Sequence, residues 1–162
     1  MQNNIAELIQ KIAEDRNNII SAMLEYALTD TILFWNKKDD LFERQKKQWE
    51  PYTVWANEEI GAKFSPTEGL STDNTVGEIT ALESYLRKTD ARKLALAYLF
   101  ARELRSVILG LAVVQKKCSV EDAFSAAFLE QNFQEEKWGT DEFSLEKSNS
   151  IKKALNQLKN FI

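Results

Sequence analysis

A chain of 162 residues and 18.6 kDa can bury one sizeable core, and 44% hydrophobic against 28% charged residues is the balance of a folded globular domain, which excludes wholesale disorder. The net charge of −4 and pI near 5.1 set up a field that repels a phosphate backbone and argue against nucleic-acid binding. Histidine is absent and Cys118 is the sole cysteine, which removes imidazole general bases, Ser-His and Cys-His nucleophile pairs, an internal disulfide and any thiolate metal cage.

The first eighteen residues hold Glu7, Glu14 and Asp15 and no uninterrupted apolar run, so they read as neither a secretory signal nor a transit peptide, and the expected location is cytoplasmic. Ile5, Leu8, Ile9 and Ile12, then Ile19, Ile20, Met23, Leu24, Ala27 and Leu28 follow helical spacing, with the polar residues Asp15 to Asn18 breaking the stripe into two helices. Asp39 and Asp40 are placed to cap a helix carrying Leu41, Gln45 and Trp49. Pro51 predicts a kink at Glu50, or a boundary to a second helix with Val54, Trp55 and Ile60 that ends at Gly61.

Residues 61–77, rich in Gly, Ser and Thr with Phe64 as their one aromatic, read as a long internal loop between helical hairpins. Helical periodicity resumes at Ile79, Leu82, Tyr85 and Leu86. From Asp90 to Lys117 it becomes apolar on most faces, as a central helix requires. Arg102, Glu103 and Arg105 divide this segment into uncharged runs of roughly 8 and 10 residues, short of the ~20 that span a bilayer, so no membrane insertion is expected. Ser119 to Asp122 has the form of a capping box opening a helix that carries Ala123, Phe124, Ala127, Phe128 and Gln131 and ends at Trp138-Gly139. A last stripe of Phe143, Ile151, Leu155, Leu158 and Ile162 closes the bundle. No repeat and no alternating strand pattern occurs. The predicted fold is all-α: a single compact bundle of about six to eight helices over residues 1–162.

Chemistry-bearing motifs are few. There is no Gly-x-x-x-x-Gly-Lys or Gly-x-Gly-x-x-Gly loop to cradle a phosphate, and no ligand set for a metal, so no catalytic residue, cofactor or small-molecule substrate is assigned. The densest charge cluster sets Glu130, Glu135, Glu136, Asp141 and Glu142 against one base, Lys137. It reads either as a solvated acidic face or as a binding surface for a basic partner. Trp35, Trp49, Trp55 and Trp138 read individually as packing residues, although Trp49 and Trp55, bracketing Pro51, are also what binding hot spots use. Lys116 and Lys117 beside Cys118 could lower its pKa, yet no base or second thiol accompanies it, which makes the cysteine structural.

Two segments carry a more specific signal. The first is Tyr26-Ala-Leu-Thr-Asp30-Thr31 followed by Leu41-Phe-Glu-Arg-Gln45-Lys-Lys-Gln-Trp49-Glu50-Pro51-Tyr-Thr-Val-Trp55-Ala56 and Gly61. The second is Ser119-Val-Glu-Asp-Ala123 followed by Leu129-Glu130-Gln-Asn-Phe133-Gln134-Glu-Glu-Lys-Trp138-Gly139. Together they resemble the ATP-twelve family, in order and separation, over about residues 8–160. Departures are Glu50 where the family has Asp before the proline, Gln131 where it commonly has a second Glu, and the lack of the family's N-terminal β-rich domain.

The resemblance implies a non-enzymatic assembly chaperone. It would bind the unassembled alpha subunit of the F-type ATP synthase, shield its subunit interface and aid formation of the catalytic hexamer without ATP hydrolysis. Related eukaryotic proteins would do this in the mitochondrial matrix. Glu130, Gln134, Trp138 and Gly139, about one helical turn apart, are the expected partner-binding residues, with Asp30, Gln45 and Trp49 as further candidates. In the rival arrangement, Gln134 and Trp138 lock the last helix and contact is made around Asp30, Gln45 and Trp49. A helical adaptor for a different protein client is the alternative function.

Overall fold

A computed structural model describes residues 2–36, 40–68 and 75–162. Nine α-helices occur among them: α1 (Gln2–Glu14), α2 (Arg16–Leu28), α3 (Leu41–Ile60), α4 (Ile79–Lys88), α5 (Ala91–Leu104), α6 (Val107–Val114), α7 (Val120–Ala127), α8 (Leu129–Trp138) and α9 (Glu142–Lys159). A 3-10 turn (Thr31–Leu33) runs into β1 (Phe34–Trp35), which pairs in parallel with β2 (Thr67–Glu68). These two-residue strands are too short to show any alternation, which is why the sequence carries no sign of them. The architecture is all-α with this one small ribbon. None of the described helices is long and apolar enough to cross a membrane.

The centre is α6, whose eight residues are all buried, packed along α5. The close approach depends on Gly110, because a Cβ there would lie 2.7 Å from the carbonyl oxygen of Ala97 and 3.0 Å from the Ala101 nitrogen. Both are backbone atoms and cannot swing away. Gly110→Ala is therefore expected to force the two helices apart at a cost of about 1–3 kcal/mol or more, read as a lower urea midpoint at unchanged m-value.

The apolar stretch from Asp90 to Lys117 is two helices rather than one. Arg105 ends α5 in the left-handed conformation, φ 55° and ψ 35°, and Ser106 caps α6 by accepting from the Leu109 N–H at 3.0 Å. The apolar pattern hides this break because α6 is buried on every face and most of α5 is buried with it. Likewise α7 and α8 are separated at Phe128, where one helix had been expected. Conversely, α3 runs unbroken through Pro51. Lys47 and Pro51 are both exposed, so solvent can take the bond that the missing proline N–H leaves vacant.

The caps follow local sequence in part. Asp90, Ser119 and Asp141 each accept from a backbone N–H three residues on, whereas Asp40 occupies the α3 cap position without such a bond. Asp39 lies outside the described residues, as do positions 69–74 of the expected loop. The described part of that loop is anchored: the Asn57 amide accepts from Phe64 N–H at 2.7 Å and donates to Phe64 O at 3.0 Å, and the Phe64 ring is buried. Arg16, at the start of α2, donates to the carbonyls of Leu86, Arg87 and Thr89, satisfying the C-terminal end of α4. In the final stripe Leu155 and Leu158 are buried, but Phe143 is 76% exposed and so does not close the bundle.

Candidate partner-binding site

Gln45 and Trp49 are four residues apart on α3 and face the same way, into the protein; both are fully buried. The Trp49 indole N–H donates to the Ala126 carbonyl at 2.7 Å, fixing the last turn of α7. Gln45 reaches two elements at once. Its amide oxygen accepts from the Asn36 N–H at 2.7 Å, and its amide nitrogen donates to Glu130 Oε1 at 3.1 Å. A central helix thus grips both sides of the α7–α8 break, and Glu130 in the first turn of α8 is held from behind by a side chain 85 positions earlier.

Glu130 itself remains exposed at its outer edge. Partial burial of its carboxyl raises the pKa above the ordinary glutamate value. In front of it lies a groove of about 470 Å³ lined by Glu130, Gln131, Gln134, Glu135, Trp138, Gly139, Asp141 and Ser144. Gly139, at φ 82°, ends α8 and turns the chain toward α9. Trp138 is 83% exposed at the far end, with Phe143 and Leu145 also exposed just beyond. An indole this open is not a packing residue, which corrects the reading of Trp138 as core and removes it as a lock on the last helix.

The acidic cluster is less free than its sequence implies. Glu136 forms a 2.8 Å ion pair with Arg44 of α3, Glu135 accepts from Gln131 at 3.3 Å, and Asp141 caps α9 through the Ser144 N–H at 2.7 Å. Arg44 and Lys137 also lie over the Phe133 ring, at 5.2 and 4.4 Å from its centre. Nothing in the spacing of residues 41–49 marks Arg44 as part of this neighbourhood; the docking of α8 on α3 brings it there.

Four predicted residues, Glu130, Gln134, Trp138 and Gly139, therefore line one groove, and Gln45 and Trp49 support it from inside. Asp30 lies elsewhere, wholly buried, accepting from the Ile32 N–H at 3.2 Å and from the Ile108 N–H at 3.0 Å. Asp30, Gln45 and Trp49 have no accessible surface, so in this fold none of the three is presented to a partner. Cys118 agrees with a structural role: burial pushes its thiol up to about 11, the hydrogen bond with Tyr52 opposing the rise and Asp122 adding to it. No group of three or more Cys, Asp or Glu side chains suited to a metal ion occurs among the described residues.

Residues 1–57 match the ATP12 chaperone protein family. That span includes the first of the two motif segments, through Ala56, and stops short of the groove. Over 95% of this chain, the fold superposes on Atp12 from Paracoccus denitrificans with a TM-score of 0.86 at 24% identity, and equally on a point mutant of that protein. The Atu1473 protein from Agrobacterium tumefaciens superposes over 93% with a TM-score of 0.78 at 28% identity. The chain spans 67% of the Paracoccus protein's length and 59% of the Agrobacterium protein's. The resemblance to the ATP12 family thus holds in sequence over the N-terminal third and in fold over nearly the whole chain.

Proposed function

We propose that this chain is the client-binding helical part of an assembly chaperone that holds the unassembled alpha subunit of the F-type ATP synthase until it joins its neighbours. The reading is carried by one arrangement: an exposed indole and an exposed glutamate at opposite ends of a groove, the glutamate fixed from behind by buried Gln45. The match to the ATP12 chaperone protein family supports it. A rim of carboxylates around an aromatic anchor suits a client surface that is apolar with basic edges, the kind of surface an unassembled subunit exposes. Preferential binding to the free client suppresses its aggregation by mass action and consumes no nucleotide. In this reading the chain is not an enzyme, and it acts in the compartment where the synthase is assembled, the bacterial cytoplasm or the mitochondrial matrix.

The test is capture of purified alpha subunit by Glu130→Lys and Trp138→Ala. Each variant is expected to weaken capture at least tenfold, about 1.4 kcal/mol, since reversal puts a like charge against a basic edge and truncation removes the anchor. Trp138→Ala should leave the free energy of unfolding within about 0.5 kcal/mol of the parent because the indole is so exposed. Unchanged capture by both folded variants would place the contact elsewhere. Recovery of an unrelated stable partner from the native cell, without the alpha subunit, would support the adaptor function instead.

A further inference from the structure

Where the end of α2 meets the end of α5, Tyr26, Thr29, Thr31, Arg102 and Arg105 line a concavity of about 410 Å³. Both arginines line it, and among the described residues no carboxylate lies within ion-pair distance of either. The wall is aromatic: Arg102 lies over the Tyr98 ring at 5.6 Å, and Tyr98 stacks on Tyr26 at 6.3 Å, with Tyr26 42% exposed.

Arg105 adds a second observation. It occupies the left-handed position that closes α5, where glycine carries no steric penalty and is the usual residue. The backbone work done there, the Arg105 carbonyl accepting from the Thr31 N–H at 3.0 Å, is work a glycine could do equally well. The arginine side chain is exposed and contributes nothing to ending the helix. Lys63 and Lys116 also take positive φ, so the conformation by itself assigns no use; at Arg105 it means that the side chain lining the concavity with Arg102 can be removed without losing the helix end.

We propose that this concavity binds an oxyanion presented as a carboxylate side chain on an acidic polypeptide. Guanidinium forks match carboxylate geometry bidentately, the Thr31 hydroxyl supplies a further donor, and the Tyr26–Tyr98 wall covers the methylenes of an acidic side chain. The surface is opposite in charge to the groove of Glu130, so it does not depend on the function proposed for that groove.

Fluorescence anisotropy of a dye-labelled hexaglutamate peptide, titrated with the full chain, tests this. Binding is expected to be salt-sensitive, and Arg105→Gly and Arg102→Gln should each weaken it about tenfold or more. Arg105→Gly should meanwhile leave the melting temperature unchanged or higher, separating loss of binding from loss of fold. Lys116→Gln, in a separate basic groove with Arg92 and Lys93, should weaken binding by less than about twofold. Equal weakening by Lys116→Gln would mean diffuse attraction and overturn the site. So would absence of binding. Displacement of the peptide by inorganic phosphate at or below the peptide's own dissociation constant would make it a free-ion site and overturn the polypeptide occupant.

Discussion

Truncating Trp49 to alanine is expected to cost about 3–5 kcal/mol of folding stability, a large part of what a domain of this size has to lose. The indole is fully buried and tied to α7, so its removal leaves a void that backbone held by neighbouring helices cannot fill. It also removes the 2.7 Å bond to the Ala126 carbonyl. Trp49→Phe isolates that second contribution. It retains most of the apolar volume and should cost about 1–2 kcal/mol. Because Ala126 precedes the turn into α8, the phenylalanine variant should weaken client capture by more than its stability loss explains, through a shifted Glu130. Chemical denaturation with parallel capture of the alpha subunit measures both; a variant with full stability and full capture would remove Trp49 from the support of the groove.

Asp30→Ala should be comparably severe, on the order of 3–5 kcal/mol, for a different reason. The carboxylate joins the turn after α2 to the start of α6, accepting from Ile32 and Ile108 N–H groups that have no water to turn to. Removing it leaves both donors buried and unpaired. Burial in this position also raises the Asp30 pKa from 3.8 to about 6, the hydrogen bonds from Ile108, Ser106, Ile32 and Val107 opposing the rise without cancelling it.

The sign of the resulting pH dependence follows directly. A group whose folded pKa lies above its unfolded value contributes stability that is fully present below about pH 4 and is lost as pH rises through about 6. The loss is on the order of 3 kcal/mol across that window. Urea unfolding of the parent and of Asp30→Asn between pH 4 and 8 should show it. The asparagine variant starts less stable and lacks this component of the slope. Equal slopes in the two proteins would mean that Asp30 does not titrate in the window.

How much of this was legible beforehand depends on the range of the interaction involved. The cap at Ser119 could be read because donor and acceptor are three residues apart, and helical class followed from periodicity and the scarcity of Gly and Pro. The shared face of Glu130, Gln134 and Trp138 was legible too, since they are successive turns of one helix. Its support was not. Gln45 and Glu130, or Trp49 and Ala126, meet only because α3 and the α7–α8 break pack together, and no local pattern encodes which face of α3 will find them.

The tryptophans make the same point with one residue type. Trp49 is fully buried and Trp138 is 83% exposed, though both sit at helical positions beside charged neighbours. Composition, charge and spacing by themselves determined that the chain is helical, where most helices begin, and which residues share a helical face. Only the tertiary structure decided that the apolar stretch breaks at Arg105 and Ser106, that α3 continues through Pro51, and that Asp30, Gln45 and Trp49 lie inside. The physical reason is that capping and periodicity act over three or four residues, whereas burial is set by the elements that dock from tens of residues away.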